Sequence, residues 1–289
     1  MQHIFVNQYL KETFGCKVYK LALDGGFTCP NRDGTKDTRG CIFCSAGGSG
    51  EFAYPPEEIK KAIDLVRKKV PKGGKYIAYF QAYTGTYGDV SRMESLYKKV
   101  LEREDIVAVS IATRPDCLGE DVLALLQELN QIKPVWIELG LQTIHENTAQ
   151  YIRRGYDLSV YDRAVQNLKD IGIEQIITHV ILGLPGESKE QMLATVDYVA
   201  KSGATGIKLQ LLHILKGTDL EKEYLEGKIK VLEFEEYLDI LSECLDIIPE
   251  EMIIHRITGD GDKKILVAPL WSGDKKRVLN AINRMMANK

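Results

Sequence analysis

The chain has 289 residues, of which 44% are hydrophobic and 27% are charged, and its formal net charge is −3. This composition is typical of an ordinary globular protein, and the charge balance neither indicates nor excludes a nucleic-acid partner. No apolar run reaches the roughly 18 residues of a membrane span, the N-terminal residues lack a signal-peptide pattern, and the cysteine spacing does not resemble a disulfide framework. We therefore expect a cytoplasmic protein that makes no contact with membranes.

Apolar segments typical of strands alternate with amphipathic segments typical of helices. Strands are predicted over Val18–Leu23, Tyr76–Gln81, Val107–Ala112, Val135–Leu141, Ile176–Leu182 and Gly206–His213. Helices are predicted over Pro56–Lys69, Val90–Arg103, Gly119–Asn130, Leu158–Asp170 and Lys189–Ser202. Strands joined by helical crossovers indicate a parallel sheet, and six such units are too few for the eight-unit barrel. We predict an α/β fold, a partial (β/α)6 TIM-like barrel, with a doubly wound open sheet as the alternative.

The regular alternation ends near residue 215. Beyond it the sequence predicts a helix, a seventh strand and a basic terminal helix, over Phe234–Ile248, Met252–Ile257 and Lys275–Ala287. No low-complexity linker precedes them. We therefore predict a barrel over residues 1–215 and a small C-terminal α/β extension over residues 216–289 that packs on the barrel.

Three cysteines lie in a loop rich in Gly, Pro, Asn and Asp, residues 29–44, directly after the first strand. Cys29, Cys41 and Cys44 have the spacing C-x11-C-x2-C. Thiolates suit zinc or an iron–sulfur cluster, and both usually take four protein ligands. A group of three leaves one ligand position open, which fits a [4Fe–4S] cluster whose fourth iron binds S-adenosylmethionine. A zinc site, with Cys16 as its fourth ligand, and unrelated loop cysteines are the alternatives.

Polar and glycine residues cluster where the predicted strands end. In a βα barrel these ends meet at the rim that carries the active site. The candidates are Gln81, Tyr83 and Tyr87 after strand two, Arg114 and Cys117 after strand three, Glu138 and Gln142 on strand four, Arg154 beyond it, His179 and Gly183 at strand five, and Gln210 and Leu212 at strand six.

Six of these candidates also have a purely structural interpretation. The alternatives are a satisfied polar network for Glu138 and Gln142, a hydrogen-bonded core histidine for His179, a buried loop thiol instead of a reactive catalytic thiol for Cys117, a turn before a capping box at Ser188 for Gly183, and a solvated helix end for Arg154.

These motifs resemble the radical S-adenosylmethionine (radical SAM) superfamily, in particular the branch that contains the Elongator catalytic subunit. The cysteine loop with Phe43, and segments 111–116, 138–143 and 179–187, carry the resemblance. The tail segments 255–260 and 268–271 resemble the compact bacterial MnmL/YtqA/YhcC type, a group linked with remodelling the carboxymethylaminomethyl group at C5 of wobble uridine in tRNA. The acetyl-transfer domain of Elongator is absent from this sequence. The usual Gly-Gly-Glu after strand two is replaced here by Gln-Ala-Tyr over residues 81–83.

The resemblance implies a cofactor site with assigned roles. Cys29, Cys41 and Cys44 would hold three irons, and S-adenosylmethionine on the fourth iron would give a 5′-deoxyadenosyl radical after one-electron reduction. The other candidate cofactor contacts are Phe43 near the adenine, Gln81, Glu138, Gln142 and Arg154 at the methionine and ribose, Gln210 and Leu212 beside the adenine, and His179 and Gly183 in the fifth-strand motif.

The predicted substrate is the anticodon loop of a tRNA, and a flavodoxin or ferredoxin is the predicted electron donor. Aromatic side chains can stack on a splayed base while Lys and Arg contact the RNA backbone. The candidate substrate contacts are Tyr83, Tyr87, Arg114, Trp271, Lys275, Lys276 and Arg277, and Arg284 and Lys289 extend the basic terminal segment. A radical SAM enzyme acting on a small molecule or peptide, and a zinc- or cluster-stabilised nucleic-acid-binding protein, are the competing interpretations.

Overall fold

A curled parallel sheet forms the centre of the protein. The computed structural model describes residues 3–70, 72–259 and 261–287, so Asp260 and Lys289 lie outside the described residues. The sheet has seven strands in the order β1-β2-β3-β4-β5-β6-β8, and β7 pairs with β9 in a separate two-stranded ladder. The strands are β1 Val18–Leu23, β2 Lys75–Phe80, β3 Ile106–Thr113, β4 Val135–Gln142, β5 Gln175–Leu182, β6 Gly206–Leu211, β7 Ile214–Leu215, β8 Ile253–Arg256 and β9 Leu266–Ala268.

Helices cover the outer face of the sheet and bury the main hydrophobic core against it. They are α1 Val6–Phe14, α2 Ile59–Val66, α3 Val90–Leu101, α4 Glu120–Ile132, α5 Glu146–Tyr151, α6 Leu158–Asp170, α7 Lys189–Lys201, α8 Asp219–Leu225, α9 Phe234–Ile247 and α10 Lys275–Ala287. None of the helices in the described parts of the chain is both long and apolar enough to span a membrane.

The inner face of the sheet is organised in layers because alternate residues of each strand point into the lumen. The lowest layer is apolar and includes Val18, Ile77, Trp136 and Ile177, closed from below by Leu10 of α1. Above it lies a polar layer, and above that the strand ends open into loops. The site therefore rests on a closed apolar base.

The two ends of the chain complete this sheet. Strand β8, from the C-terminal region, pairs in parallel with β6, and Phe5 makes an isolated bridge to Ile254 of β8. Helix α1 packs against both edge strands, β1 and β8. The predicted extension thus contributes a seventh strand to the barrel sheet itself, while the division at residue 215 stays a prediction.

The α/β partial barrel is confirmed. Strand β1, helix α6 and helix α10 have the predicted bounds, and a capping box between Ser188 and Gln191 opens α7 as predicted. The sixth strand ends earlier than predicted, at Leu211, because the chain turns there into β7. Helices α1, α5 and α8 were not predicted: each is short, and their buried residues are few.

Candidate active site

A pocket opens at the C-terminal edge of the sheet, where the strand ends meet. The predicted residues that line it are Cys29, Cys41, Phe43 and Cys44 of the cysteine loop, Gln81 and Tyr83 after β2, Arg114 after β3, Glu138 and Gln142 on β4, Arg154 after α5, His179 on β5, and Gln210 and Leu212 at the end of β6. Residues taken from seven regions of the sequence therefore meet in one cavity.

The cysteine loop is held in shape by its own polar side chains. The Asn31 side-chain amide donates a hydrogen bond to the Arg153 carbonyl at 2.6 Å, and the Arg32 guanidinium donates to the Cys44 carbonyl at 3.0 Å. Gly40 has a φ of +78°, and a Cβ there would stand 3.0 Å from the Arg32 side chain. The loop can therefore pass close to Arg32 only with glycine at this position.

The three thiols share one wall of the pocket and influence one another. Burial, followed by the neighbouring Cys44, raises the pKa of the Cys41 thiol to about 12, and burial also raises the pKa of Cys44. Both are therefore protonated at neutral pH without a metal, and a metal must displace those protons to bind. Within the described residues, no group of three or more His, Cys, Asp or Glu side chains is arranged to hold a metal ion. All three thiols nevertheless line the same pocket, and Cys29 and Cys44 lie close enough to Cys41 to influence its thiol.

A second observation fits a bound cofactor next to these thiols. The Oε1 atom of Gln142 is buried in the pocket wall without a hydrogen-bond partner, and the residue has a φ of +71°. Buried polar atoms are nearly always hydrogen-bonded. A left-handed conformation at a residue other than glycine also persists only where the surroundings impose it. Gln142 therefore presents an acceptor to whatever fills the pocket.

The floor of the pocket is a buried ionic network centred on Glu138, which has no exposed surface. Its carboxylate accepts hydrogen bonds from Lys20 at 2.7 Å, from Ser110 at 2.8 Å and from Lys208, and it pairs with the His179 Nε2 atom at 2.8 Å. Burial, together with Lys208, lowers the pKa of His179 to about 4, so this imidazole is neutral at pH 7. Burial alone would raise the pKa of Glu138, but Lys20 and Lys208 hold it well below its usual range.

The family models decide the class of this site. Residues 38–199 match the model of the radical SAM superfamily, and residues 204–288 match that of the radical SAM C-terminal domain. The first match alone covers more than half of the chain. The protein belongs to the radical SAM superfamily. It is an enzyme of that family, and the non-catalytic zinc module that the sequence left open is wrong.

Individual relatives support the same branch of the radical SAM superfamily. The chain is 47% identical to protein YtqA of Bacillus subtilis over 288 residues, covering 98% of this chain and 89% of the relative. It is 28% identical over 164 residues to the tRNA uridine(34) acetyltransferase of Methanocaldococcus jannaschii, covering 56% of this chain and 30% of that protein. The structure of Methanocaldococcus infernus Elp3 with an N-terminal deletion superposes with a TM-score of 0.69 at 19% identity, covering 92% of this chain and 63% of that one. The resemblance to the Elongator branch is confirmed.

Phe43 and Leu212 lie on an apolar part of the radical SAM pocket. Both belong to a small hydrophobic cluster with Ile152, Ile181 and Leu184. Gln210 lines the pocket beside them, in register with Ile181. This is the composition expected of a surface that faces an adenine ring, and the assignment stays a prediction.

Tyr83 contacts the segment that follows the cysteine loop, and Tyr87 contacts the loop itself. The sequence predicted instead that both would stack on a base of the substrate. The Tyr83 hydroxyl donates to the Ala46 carbonyl at 2.6 Å, and the Tyr87 hydroxyl lies 2.8 Å from the Thr35 hydroxyl. Gly48 packs directly on the Tyr83 ring. Only Tyr83 lines the pocket, so Tyr87 is better placed to support the loop than to touch substrate.

The two predicted arginines are anchored within the protein. Arg114 forms a two-pronged ion pair with Asp116, at 2.8 and 2.9 Å, next to the cysteine loop. Arg154 is buried and donates to the carbonyl oxygens of Thr143 at 2.6 Å and Tyr156 at 3.0 Å. Both line the pocket, but their hydrogen-bonding groups are largely engaged. Arg154 is thus a buried bracing residue, not the solvated helix end that was the alternative.

Cys117 and Gly183 do not line the pocket in the described residues. Cys117 is buried, and burial together with Asp116 raises the pKa of its thiol to about 12, whereas a nucleophilic cysteine needs a lowered pKa. Gly183 has a φ of +87°, and a Cβ there would stand 2.9 Å from Leu232. The structure therefore agrees with the alternatives, a buried loop thiol and a turn before α7.

The predicted substrate residues of the tail lie beside the pocket. The Trp271 indole donates to the Leu232 carbonyl at 3.1 Å and packs on Phe234 and Tyr237. Lys275 lines a second groove, and Arg277 stacks on Phe234 with 4.7 Å between its guanidinium and the ring centre. Lys276 is exposed. The Trp271 ring therefore packs within the protein, whereas the sequence predicted that it would stack on a base of the substrate.

Sequence reasoning missed three basic groups of the lumen: Lys20, Lys208 and Arg256. The signal was present for Lys208, because it interrupts the apolar strand β6 and is only 4% exposed. A lysine in such a strand is expensive to bury unless it is paired. Its partner, Glu138, lies 70 residues away in sequence, which is why the pair could not be read from the chain.

Proposed function

We propose that this radical SAM enzyme modifies the wobble uridine of tRNA, converting its 5-carboxymethylaminomethyl group to aminomethyl. The observation that carries the proposal is the pocket itself, whose lining includes the three thiols and more Lys and Arg than Asp and Glu residues. Similarity over 56% of the chain to a tRNA uridine(34) acetyltransferase supports a tRNA uridine as substrate. A carboxylate-bearing arm suits a pocket lined by more basic than acidic residues.

The [4Fe–4S] cluster and S-adenosylmethionine are the cofactors of the family, and the residues present fit them. Cys29, Cys41 and Cys44 would hold three irons, Gln142 would meet a donor group of the methionine or ribose, and Phe43 would face the adenine. When bound, these cofactors supply a hydrogen-abstracting radical. The protein's own contribution is to exclude water and to hold the arm of the substrate, because abstraction is selective only when one C–H bond is aimed at the radical.

A groove next to the pocket offers a path for the RNA backbone. It is lined by Arg256, Gly259, Trp271 and Lys275, and it shares Arg256 and Gly259 with the main pocket. Basic side chains along a groove can contact the phosphates of a single-stranded loop. In this proposal the wobble base enters the pocket while neighbouring phosphates contact the groove and the exposed Lys276. A cytoplasmic flavodoxin or ferredoxin would supply the electron.

Nucleoside analysis of tRNA tests the proposal directly. Cells that lack the gene should accumulate 5-carboxymethylaminomethyluridine and lose 5-aminomethyluridine, and the wild-type gene should restore the product. The Cys41→Ser variant should not restore it, whereas the Cys16→Ser variant should, because Cys16 lies outside the pocket lining among the described residues. An unchanged profile of modified uridines in the deleted cells would rule out this substrate.

A further inference from the structure

A glycine-rich segment, residues 45–51, follows the cysteine loop and packs directly on the segment that follows β2. A Cβ at Gly48 would stand 2.4 Å from the Tyr83 ring, and a Cβ at Gly50 would stand 2.6 Å from the Ala82 side chain. Only glycine allows so close an approach. Members of both segments line the pocket, so together they form one continuous part of its wall.

This part of the wall carries a carboxylate, although the segment after β2 has none. Residues 81–83 are Gln-Ala-Tyr, and the acid is Glu51, which lines the pocket. Its carboxylate lies against Gly47, where a Cβ would stand 3.2 Å from the Glu51 Oε1 atom. Burial is the largest cause of the raised pKa of Cys44, and the charge of Glu51 adds to it. The Glu51 carboxylate is therefore near one of the three thiols.

The acidic residues that line the pocket in the described parts of the chain differ in how far their oxygens are already engaged. They are Glu51, Glu138 and Asp262. The carboxylate of Glu138 accepts from two lysines and a serine and pairs with a histidine. Asp262 lies in the loop after β8, and its Oδ1 atom accepts from the Lys264 backbone at 3.0 Å. Among the described residues, Glu51 accepts only from the Ser45 hydroxyl, through Oε1. Its Oε2 atom is therefore available to a donor on a ligand.

Arg32 is a basic side chain of the same wall, but it is directed at other groups. Its guanidinium donates to the carbonyl oxygens of Cys44 and Ser45 and lies 5.8 Å from the centre of the Tyr83 ring. In the parts of the chain that the structure describes, no lysine, arginine or histidine forms an ion pair with Glu51. A carboxylate makes its strongest hydrogen bonds with N–H donors, above all charged ones. This part of the wall therefore suits a ligand that carries an amine.

We propose that Glu51 binds the α-amino group of S-adenosylmethionine and thereby positions the methionine end of the cofactor. This inference goes beyond the proposed function, because it rests on membership of the radical SAM superfamily and not on the RNA substrate. An α-amino group keeps N–H donors whether it is protonated or bound to iron, and the Oε2 atom of Glu51 can accept from them. Glu51 thus supplies the carboxylate that residues 81–83 lack.

Equilibrium binding of two matched ligands tests this role. The reconstituted enzyme is kept under anaerobic conditions and without reductant, so that no chemistry follows binding. The ligands are S-adenosylmethionine and its analogue in which hydrogen replaces the α-amino group, and the wild type should bind S-adenosylmethionine more tightly. Glu51→Gln should weaken the binding of S-adenosylmethionine by about 10-fold, because a neutral amide accepts more weakly than a carboxylate. The same variant should leave the binding of the analogue unchanged.

Two variants serve as matched controls. Ser45→Ala removes the hydrogen-bond partner of Glu51, and Asp262→Asn removes a different carboxylate of the pocket. Both should keep the ratio of the two affinities close to the wild-type value. The iron content of Glu51→Gln should equal that of the wild type, because the variant changes an exposed side chain that is not one of the cysteine ligands.

Three results would overturn the inference. If Glu51 only shapes the turn, Glu51→Gln will weaken the binding of both ligands alike or will retain less iron. If Asp262→Asn lowers the ratio as much as Glu51→Gln does, the ratio reports the charge of the whole pocket. Equal binding of both ligands by the wild type would mean that the pocket has no amine site. No RNA enters the measurement, so its outcome does not affect the proposed tRNA substrate.

Discussion

Replacing Glu138 by glutamine should be among the most destabilising single changes in this protein. The substitution keeps the shape of the side chain but leaves Lys20 and Lys208 without their carboxylate, and Lys208 is only 4% exposed. Removing one partner of a buried ion pair costs about 3–5 kcal/mol. Because whole-protein stabilities are about 5–15 kcal/mol, we expect Glu138→Gln to lose a large fraction of the free energy of unfolding.

Urea unfolding at pH 7 measures this loss as a shift of the midpoint at constant slope. The control is Glu58→Gln, which removes an exposed pair with Lys61 at 2.8 Å and should cost less than about 1 kcal/mol. Adding Lys208→Met to Glu138→Gln should recover part of the loss, because one unpaired cation disappears. A Glu138→Gln protein as stable as the Glu58→Gln control would refute the ionic network as a determinant of stability.

Three further predictions follow from the site. Because burial and Lys208 lower the pKa of His179 from 6.5 to about 4, the unfolded state alone binds this proton between those values. The free energy of unfolding should therefore fall by about 2 kcal/mol from pH 7 to pH 5. Urea unfolding at the two pH values measures this fall, and the His179→Gln variant should not show the part that His179 causes. If the variant has the same pH dependence as the wild type, the prediction is wrong. After anaerobic reconstitution, less iron should be bound by each of the variants Cys29→Ser, Cys41→Ser and Cys44→Ser, whereas Cys16→Ser should bind as much as the wild type. If a variant with all three of Cys29, Cys41 and Cys44 replaced by serine still binds the full amount of iron, these residues are not the ligands. Gly48→Ala should lower stability and iron retention more than Gly73→Ala, since both have positive φ but only at Gly48 would a Cβ meet Tyr83, at 2.4 Å; equal effects would mean that backbone strain alone matters.

Local pattern predicted much of the fold. Strand β1 and helix α6 were predicted with their observed bounds because their apolar periodicities are strong and turn residues limit them. Helix α1 was missed because it is only 9 residues long, although Val6, Leu10 and Phe14 recur at helical spacing. Its place in the fold depends on covering the base of the lumen, which is a property of the assembled sheet.

The features of the site that could not be predicted from the sequence depend on contacts between segments that are far apart in the chain. The three cysteines were predicted because their spacing and loop composition are local. The hydrogen bond between Tyr87 and Thr35 joins residues 52 positions apart, and the pair of Lys20 with Glu138 spans 118 positions. A tyrosine that supports a loop and one that stacks on a base look the same in sequence. Only the folded arrangement distinguishes them.

The meeting of Phe5 with Ile254 has a consequence for biosynthesis. The cysteine loop leaves the ribosome more than 200 residues before strand β8 does. Until β8 is translated, the edge of β6 is unpaired and the part of the pocket that Arg256 lines is missing. A truncation that removes β8 should therefore expose the edge of β6 and leave the pocket without Arg256.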